Sequence, residues 1–171
     1  GCDLMTSVRI PSSLTAIGHA AFCTDGISSV TVDKSNPEYE APDGFNGIIE
    51  KDTGVLIFGC RTAEKIPETV TQIGAYAYYT IPIKSIDLHE DITYVGDYAF
   101  NNTSTLKSII SRSVIPPQTG TRNIFNNPAS QGRLKVPSEA VEAYKTSSWM
   151  GTSSGFLGFP NYKWSVEAIA E

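Results

Sequence analysis

The sequence predicts an α/β solenoid, an array of short stacked strands joined by short helical turns, with a hairpin insertion and a C-terminal cap. Three observations predict it. A thirteen-residue phrase occurs three times, from Ile10 to Phe22, Ile66 to Tyr78 and Leu88 to Phe100, with the same offsets between its apolar residues, Thr, Gly, Ala and final aromatic ring. A second phrase of apolar-x-Ser-apolar-x-apolar type occurs at Met5–Ile10, Ile27–Val32, Ile83–Leu88 and Leu106–Ser111, starting 22, 56 and 23 residues apart. The chain of 171 residues is 40% apolar and 18% charged, which suits a folded unit and excludes disorder over most of its length. A unit of about 22 residues with one short strand cannot bury its own apolar face, so it is stable only when stacked on its neighbours.

Each element follows from local chemistry. In the strand phrases the apolar residues stand two apart, so Val8 and Ile10 point into the core while Ser7 and Arg9 point out. The glycines Gly18, Gly74 and Gly96 permit a tight bend or close backbone approach that a Cβ would hinder. The Ala and aromatic residues three and four positions later share one face of a short helical turn and fill the coil. The gap of 56 residues divides into 34 and 22 if a worn strand phrase runs from Arg61 to Ile66. One repeat then carries about a dozen extra residues. Within them Ile48–Glu50 and Val55–Phe58 flank Lys51-Asp-Thr-Gly54, which reads as a hairpin projecting from the array.

Residues 1–111 thus form the repeat array, with the hairpin insertion at about 33–60, and 112–171 a C-terminal strand–helix cap and tail. Pro116 and Pro117 interrupt the period, Leu134–Val136 make a last strand, and Ser138 is placed to cap a helix bearing Glu139, Glu142 and Lys145. No cap precedes the first strand phrase, so further repeats are expected upstream in the natural chain. The missing initiator Met and signal peptide agree with a segment of something longer.

Charge and spacing exclude several functions. Thirteen Lys and Arg against eighteen Asp and Glu give a net charge of -5 without a concentrated basic stretch, so nucleic acid is not the expected partner. The longest uncharged apolar run, Val55 to Phe58 with its flanking glycines, is far short of the roughly 20 residues of a membrane span. Cys2, Cys23 and Cys60 cannot all pair with one another and lack a zinc spacing.

These phrases, a strand followed by Ile-Pro-x-x-[Leu/Val]-Thr-x-Ile-Gly-x-x-Ala-Phe, resemble the leucine-rich repeats of BspA-like surface proteins, known mainly from Bacteroidetes and other host-associated microbes. The segment from Leu134 to Lys145, followed by Trp149, is similar to the closing segment of such arrays. Tyr78 in place of Phe, and Leu88-His89 in place of Ile-Pro, depart from the pattern. The resemblance implies a leucine-rich repeat array in an exported, cell-surface or extracellular protein that binds noncovalently and catalyses nothing. Its partner would be a host or cell-surface protein, with a glycan as the alternative.

Two surfaces are candidates for binding. Stacking aligns Ser7/Arg9, Ser29/Thr31, Ser85/Asp87 and Ser108/Ile110 into an outward ladder suited to a protein partner, or to a plain solvated sheet. The rings of Trp149, Phe156, Phe159, Tyr162 and Trp164 either close the last coil or, exposed, make a carbohydrate platform centred on Trp149 and Trp164. His19 and Cys23, four apart on an expected helical turn, raise a hydrolase reading, but nothing in the sequence orients the histidine. Asp87, His89, Glu90 and Asp91 follow neither a calcium nor a zinc spacing. No catalytic residue, metal ligand or cofactor is assigned. Gly1-Cys2 reads as a turn before a strand rather than a lipid-attached terminus. Asn101-Asn-Thr-Ser offers glycosylation acceptors that a bacterial origin would leave as a polar loop.

Overall fold

The computed structural model describes residues 5–153 and 155–170, so Gly1 and Cys2 lie outside the described residues. In chain order the strands begin with β1 (Ser7–Ile10), β2 (Ser29–Val32), β3 (Tyr39–Glu40), β4 (Gly47–Glu50), β5 (Val55–Gly59) and β6 (Gln72–Ile73). They continue with β7 (Ser85–Leu88), β8 (Tyr94–Val95), β9 (Ser108–Ser111), β10 (Gln118–Thr119) and β11 (Gln131–Val136). The helix α1 (Val141–Lys145) and β12 (Lys163–Ala168) complete the order.

The intact strand phrases pair in parallel in two groups, β1 with β2 and β7 with β9. Ser7 lies opposite Ser29 and Val8 opposite Val30 in β1 and β2, and Ser85 opposite Ser108 and Ile86 opposite Ile109 in β7 and β9. The ladder continues through β11, where Ile109 meets Leu134, to β12, where Leu134 meets Val166. Val30, Ile86, Ile109 and Leu134 are buried as the alternation requires. Residues 112–171 contribute three strands to these sheets, and Lys163–Ala168, rather than Leu134–Val136, is the final one.

Between β2 and β7 the worn phrase keeps only an isolated parallel bridge, Lys65 opposite Asp87. That register sets Glu64 beside Ile86, in the slot Val8 and Val30 fill elsewhere. A carboxylate does not enter an apolar core unpaired. Glu64 instead accepts hydrogen bonds from the backbone N–H groups of Lys84 and Ser85 and from the Ser85 hydroxyl.

A second sheet runs in the order β10-β8-β6-β5-β4-β3. Its regular part, β6, β8 and β10, is parallel, one two-residue strand per repeat. The insertion is a hairpin, β4 against β5, as its sequence predicts, but it does not project. β5 pairs in parallel with β6, Val55 opposite Gln72 and Leu56 opposite Ile73, so the insertion becomes part of the sheet. Its runs are apolar on both faces, and Ile48, Ile49, Leu56 and Phe58 are buried, an exposure cost that a projecting hairpin would have to bear.

The turn blocks form a third hydrogen-bonded column. Tyr76 N–H donates to the Asp97 carbonyl, Tyr78 N–H to Ala99 and Phe100 N–H to Ile124. These blocks are not helical. Tyr76 at φ 64° and Tyr98 at φ 59° are left-handed, so each block is a succession of turns and the only helices among the described residues follow Pro137. The glycines act by close approach: a Cβ on Gly96 would stand 2.6 Å from Ala75 N, and one on Gly74 would stand 2.6 Å from Leu56 O. Ser138 does not cap α1. A 3-10 turn, Ser138–Ala140, intervenes without a side-chain cap, and the Ser138 hydroxyl donates to Glu139.

Buried rings line the interior in series. Tyr78 stacks on Phe100 at 5.4 Å, Phe100 on Phe125 at 5.5 Å, and Phe125 meets Trp149 at 5.4 Å. At the other end Phe22 meets Phe58 of the hairpin at 5.4 Å, so the insertion supplies a ring of its own.

Candidate binding face

The outward residues of the strand ladder are set in rows by register. Ser7, Arg9, Ser29 and Thr31 are exposed, and Ser85, Asp87, Ser108 and Ile110 are half-buried. Arg9 lies beside Thr31, and Asp87 beside Ile110. The eight residues form two groups, because the worn phrase intervenes and pairs only through Lys65, opposite Asp87. The rows also run further than the phrases: Arg133 and Ser165 extend the serine row, and Lys135 and Glu167 extend the other. The alternation within Gln131–Val136 and Lys163–Ala168 carries that signal, and the break in period after Ser111 hides it.

Electrostatics divide this face. Asp87 holds Arg112 by two hydrogen bonds, from Nε at 2.9 Å and from the outer nitrogen at 2.7 Å, and these raise the guanidinium above its ordinary value. The Ser85 hydroxyl is engaged by Glu64. Arg9 stands 4.0 Å from Asp33, at the limit of an ion pair, while Asp33 is held below the usual carboxylate range chiefly by the Ser35 hydroxyl. Asp87 and Ser85 are therefore tied up, whereas Lys65, opposite Asp87, is exposed.

The carbohydrate platform does not exist as expected. Trp149 is fully buried, its indole N–H donating to the Pro117 carbonyl at 2.9 Å, and Trp164 is 8% exposed, donating to Ala129 at 3.0 Å. Both rings close the core. Partly exposed rings stand elsewhere: Tyr76 stacks on Tyr98 at 4.9 Å, with Tyr79 at 5.5 Å from Tyr76. Tyr76 also borders a cleft of about 390 Å³ between the first turn block and the hairpin, lined by Ile17, His19, Phe22 and Glu50.

The other candidate groups are placed as follows. Ala20, between His19 and Cys23, has φ 61°, so the pair does not lie on a helical turn, and no hydrogen bond joins them among the described residues. Burial pushes the Cys23 thiol up, which disfavours the nucleophilic thiolate. His89 contacts the Pro67 carbonyl at 3.1 Å through Nε2, and Asp87 is committed to Arg112. Among the described residues no three His, Cys, Asp or Glu side chains come together as a metal site. Asn101 is buried and donates to the Asn123 carbonyl at 3.1 Å.

Comparison with known proteins agrees with this geometry. A family model described as the BspA type leucine rich repeat region matches residues 1–42 and 59–160 in six copies, leaving out most of the inserted hairpin. The fold is similar to that of the pneumococcal vaccine antigen PcpA, with a TM-score of 0.62 and 15% identity over 97% of this chain and 46% of that one. It is also similar to a leucine rich cell surface protein from Faecalibacterium prausnitzii A2-165, with a TM-score of 0.63 and 20% identity over 98% of this chain and 49% of that one. The chain thus spans about half the length of these solved structures. No curated protein matches it by sequence. No enzymatic family is indicated, and no helix among the described residues is long and apolar enough to cross a membrane. With the repeat phrase, the parallel register and the family match in accord, the chain belongs to the BspA-type leucine-rich repeat family.

Proposed function

We propose that this chain is a solenoid segment of an exported, cell-surface protein and that it binds a protein partner noncovalently through the outward strand face, without catalysis. One observation carries the reading: the β1–β2 register aligns Ser7, Arg9, Ser29 and Thr31 into an exposed polar surface whose side chains do little for the fold, and Lys65, set opposite Asp87 in the worn phrase, is exposed as well. Residues spared from structural duty are the ones a binding role can use, and extended sheet faces are where repeat arrays offer area. The family and the surface protein from Faecalibacterium support the cell-surface setting. The segment from 112 to 171 would close the array as its C-terminal cap, covering the apolar end of the last coil.

The test is adhesion of the purified chain to immobilised extracellular-matrix proteins, comparing wild type with Arg9→Glu/Thr31→Glu/Lys65→Glu. Loss of adhesion at an unchanged melting temperature is expected. Undiminished adhesion of the triple variant would reject this face.

A further inference from the structure

Charge is divided unevenly along the chain. Residues 1–106 carry six Lys and Arg against fourteen Asp and Glu, whereas 107–171 carry seven against four. The fold concentrates part of that excess. The backbones of β9, β11 and β12 meet at their starting ends, Arg133 N–H donating to Lys107 O at 2.9 Å and Lys163 N–H to Ser130 O at 2.7 Å. There Lys107, Arg133 and Lys163 line one open depression of about 370 Å³ with Gln131, Gly132 and Ser165. Trp164 packs beneath Gly132, where a Cβ would stand 2.5 Å from its ring, so this floor is backbone rather than side chain.

Three cations on adjacent strands repel one another, and a fold gains nothing by gathering them. Among the described residues the one carboxylate in reach is Glu167, 3.8 Å from a largely exposed Arg133, and Lys107 and Lys163 have none. The lining has no apolar anchor of the kind that dominates protein interfaces. Its amide, hydroxyl and cationic donors suit a polar ligand bearing several anionic groups.

We infer that the starting ends of β9, β11 and β12 form a site for the sulfate and carboxylate groups of an acidic polysaccharide. The site is distinct from Arg9, Thr31 and Lys65 and does not depend on the protein-binding reading. The probe is immobilised heparin near physiological salt, with chondroitin sulfate, polyglutamate and free sulfate as competitors. Lys107→Gln/Arg133→Gln/Lys163→Gln should weaken retention by about tenfold or more, with binding also falling steeply as salt rises. Lys34→Gln/Arg122→Gln/Lys145→Gln, which changes the net charge equally, should retain wild-type binding. Competition by a sulfated glycan well below the concentration at which polyglutamate or free sulfate competes supports the inference. Absent binding, equal loss in the two triple variants, or stronger competition by polyglutamate would overturn it.

Discussion

At the scale of single residues, burial and pairing decide which outward groups are available. Asp87 looks like its neighbours in the row, yet it is 26% exposed at the side chain and shares two hydrogen bonds with Arg112. Reversing its charge therefore alters more than the surface field. Asp87→Lys should lower the melting stability by about 1 kcal/mol, as for a well-formed but partly exposed pair, and Asp87→Lys/Arg112→Glu should recover most of it. Thermal unfolding of the three proteins checks this, and no recovery in the swap would mean the pair is inconsequential. Cys60 makes a second case. Its thiol donates to the Asn46 carbonyl at 2.8 Å and is pushed up to about 11, chiefly by burial. Alkylation near pH 8 should modify Cys23 well before Cys60 in the folded protein, the difference vanishing in denaturant, as peptide mass spectrometry would report. The unfolded thiol ionises from the ordinary value of 9.0, so this group lowers stability progressively as the pH rises from there toward 11.

At the scale of elements, the repeat phrase is legible where each residue serves one purpose. Val30, Ile86 and Ile109 alternate with polar neighbours, and their parallel register follows from the offsets alone. The rest is hidden where the chain solves the same packing problem with different residues. Phe125 continues the buried ring series, but Ile124 stands where Ala99 stands and one residue is added, so the phrase is no longer recognisable. The last strand is masked by the glycine and aromatic residues before it. On the candidate face, the row members seen in the sequence are those in intact phrases, and Lys65 is obscured because Glu64 breaks the apolar pattern. The hairpin teaches most. Its turn chemistry is plain, whereas its destination depends on a vacancy that only the stack creates: β5 takes the place beside β6 and Phe58 supplies the missing ring. Phe58→Ala should then cost about 3–5 kcal/mol, the range for a core aromatic, rather than the fraction expected of a projecting loop. Denaturant unfolding distinguishes the two, and a loss below about 1 kcal/mol would return the hairpin to the surface.

At the scale of the whole molecule, stability is a sum of neighbouring contacts and need not be even. The strands β7, β9, β11 and β12 form a continuous four-stranded parallel sheet. β1 and β2 form a separate pair, and among the described residues no strand is bonded to the other edge of β2, the worn phrase reaching only toward β7. The side chains over that end, Val8, Leu14, Ile17 and Phe22, are half-buried, against full burial of Ile86, Leu88 and Ile109. Fewer apolar contacts and one missing ladder set the free energy of local opening lower there. Hydrogen exchange should therefore proceed in order. The strand amides of β2 should exchange faster than those of β9, and mild denaturant should widen the gap until β1 and β2 open as a unit while the four-stranded sheet stays protected. Equal protection at Val32 and Ile110 would show the worn phrase transmitting the stack as fully as a regular one. In the expected order, Arg9 and Thr31 sit on the part of the molecule that opens first, while the basic depression at β9, β11 and β12 sits on the part that stays folded. Binding a partner at the first group would then raise protection of β1 and β2, and an acidic polysaccharide at the second would leave it unchanged.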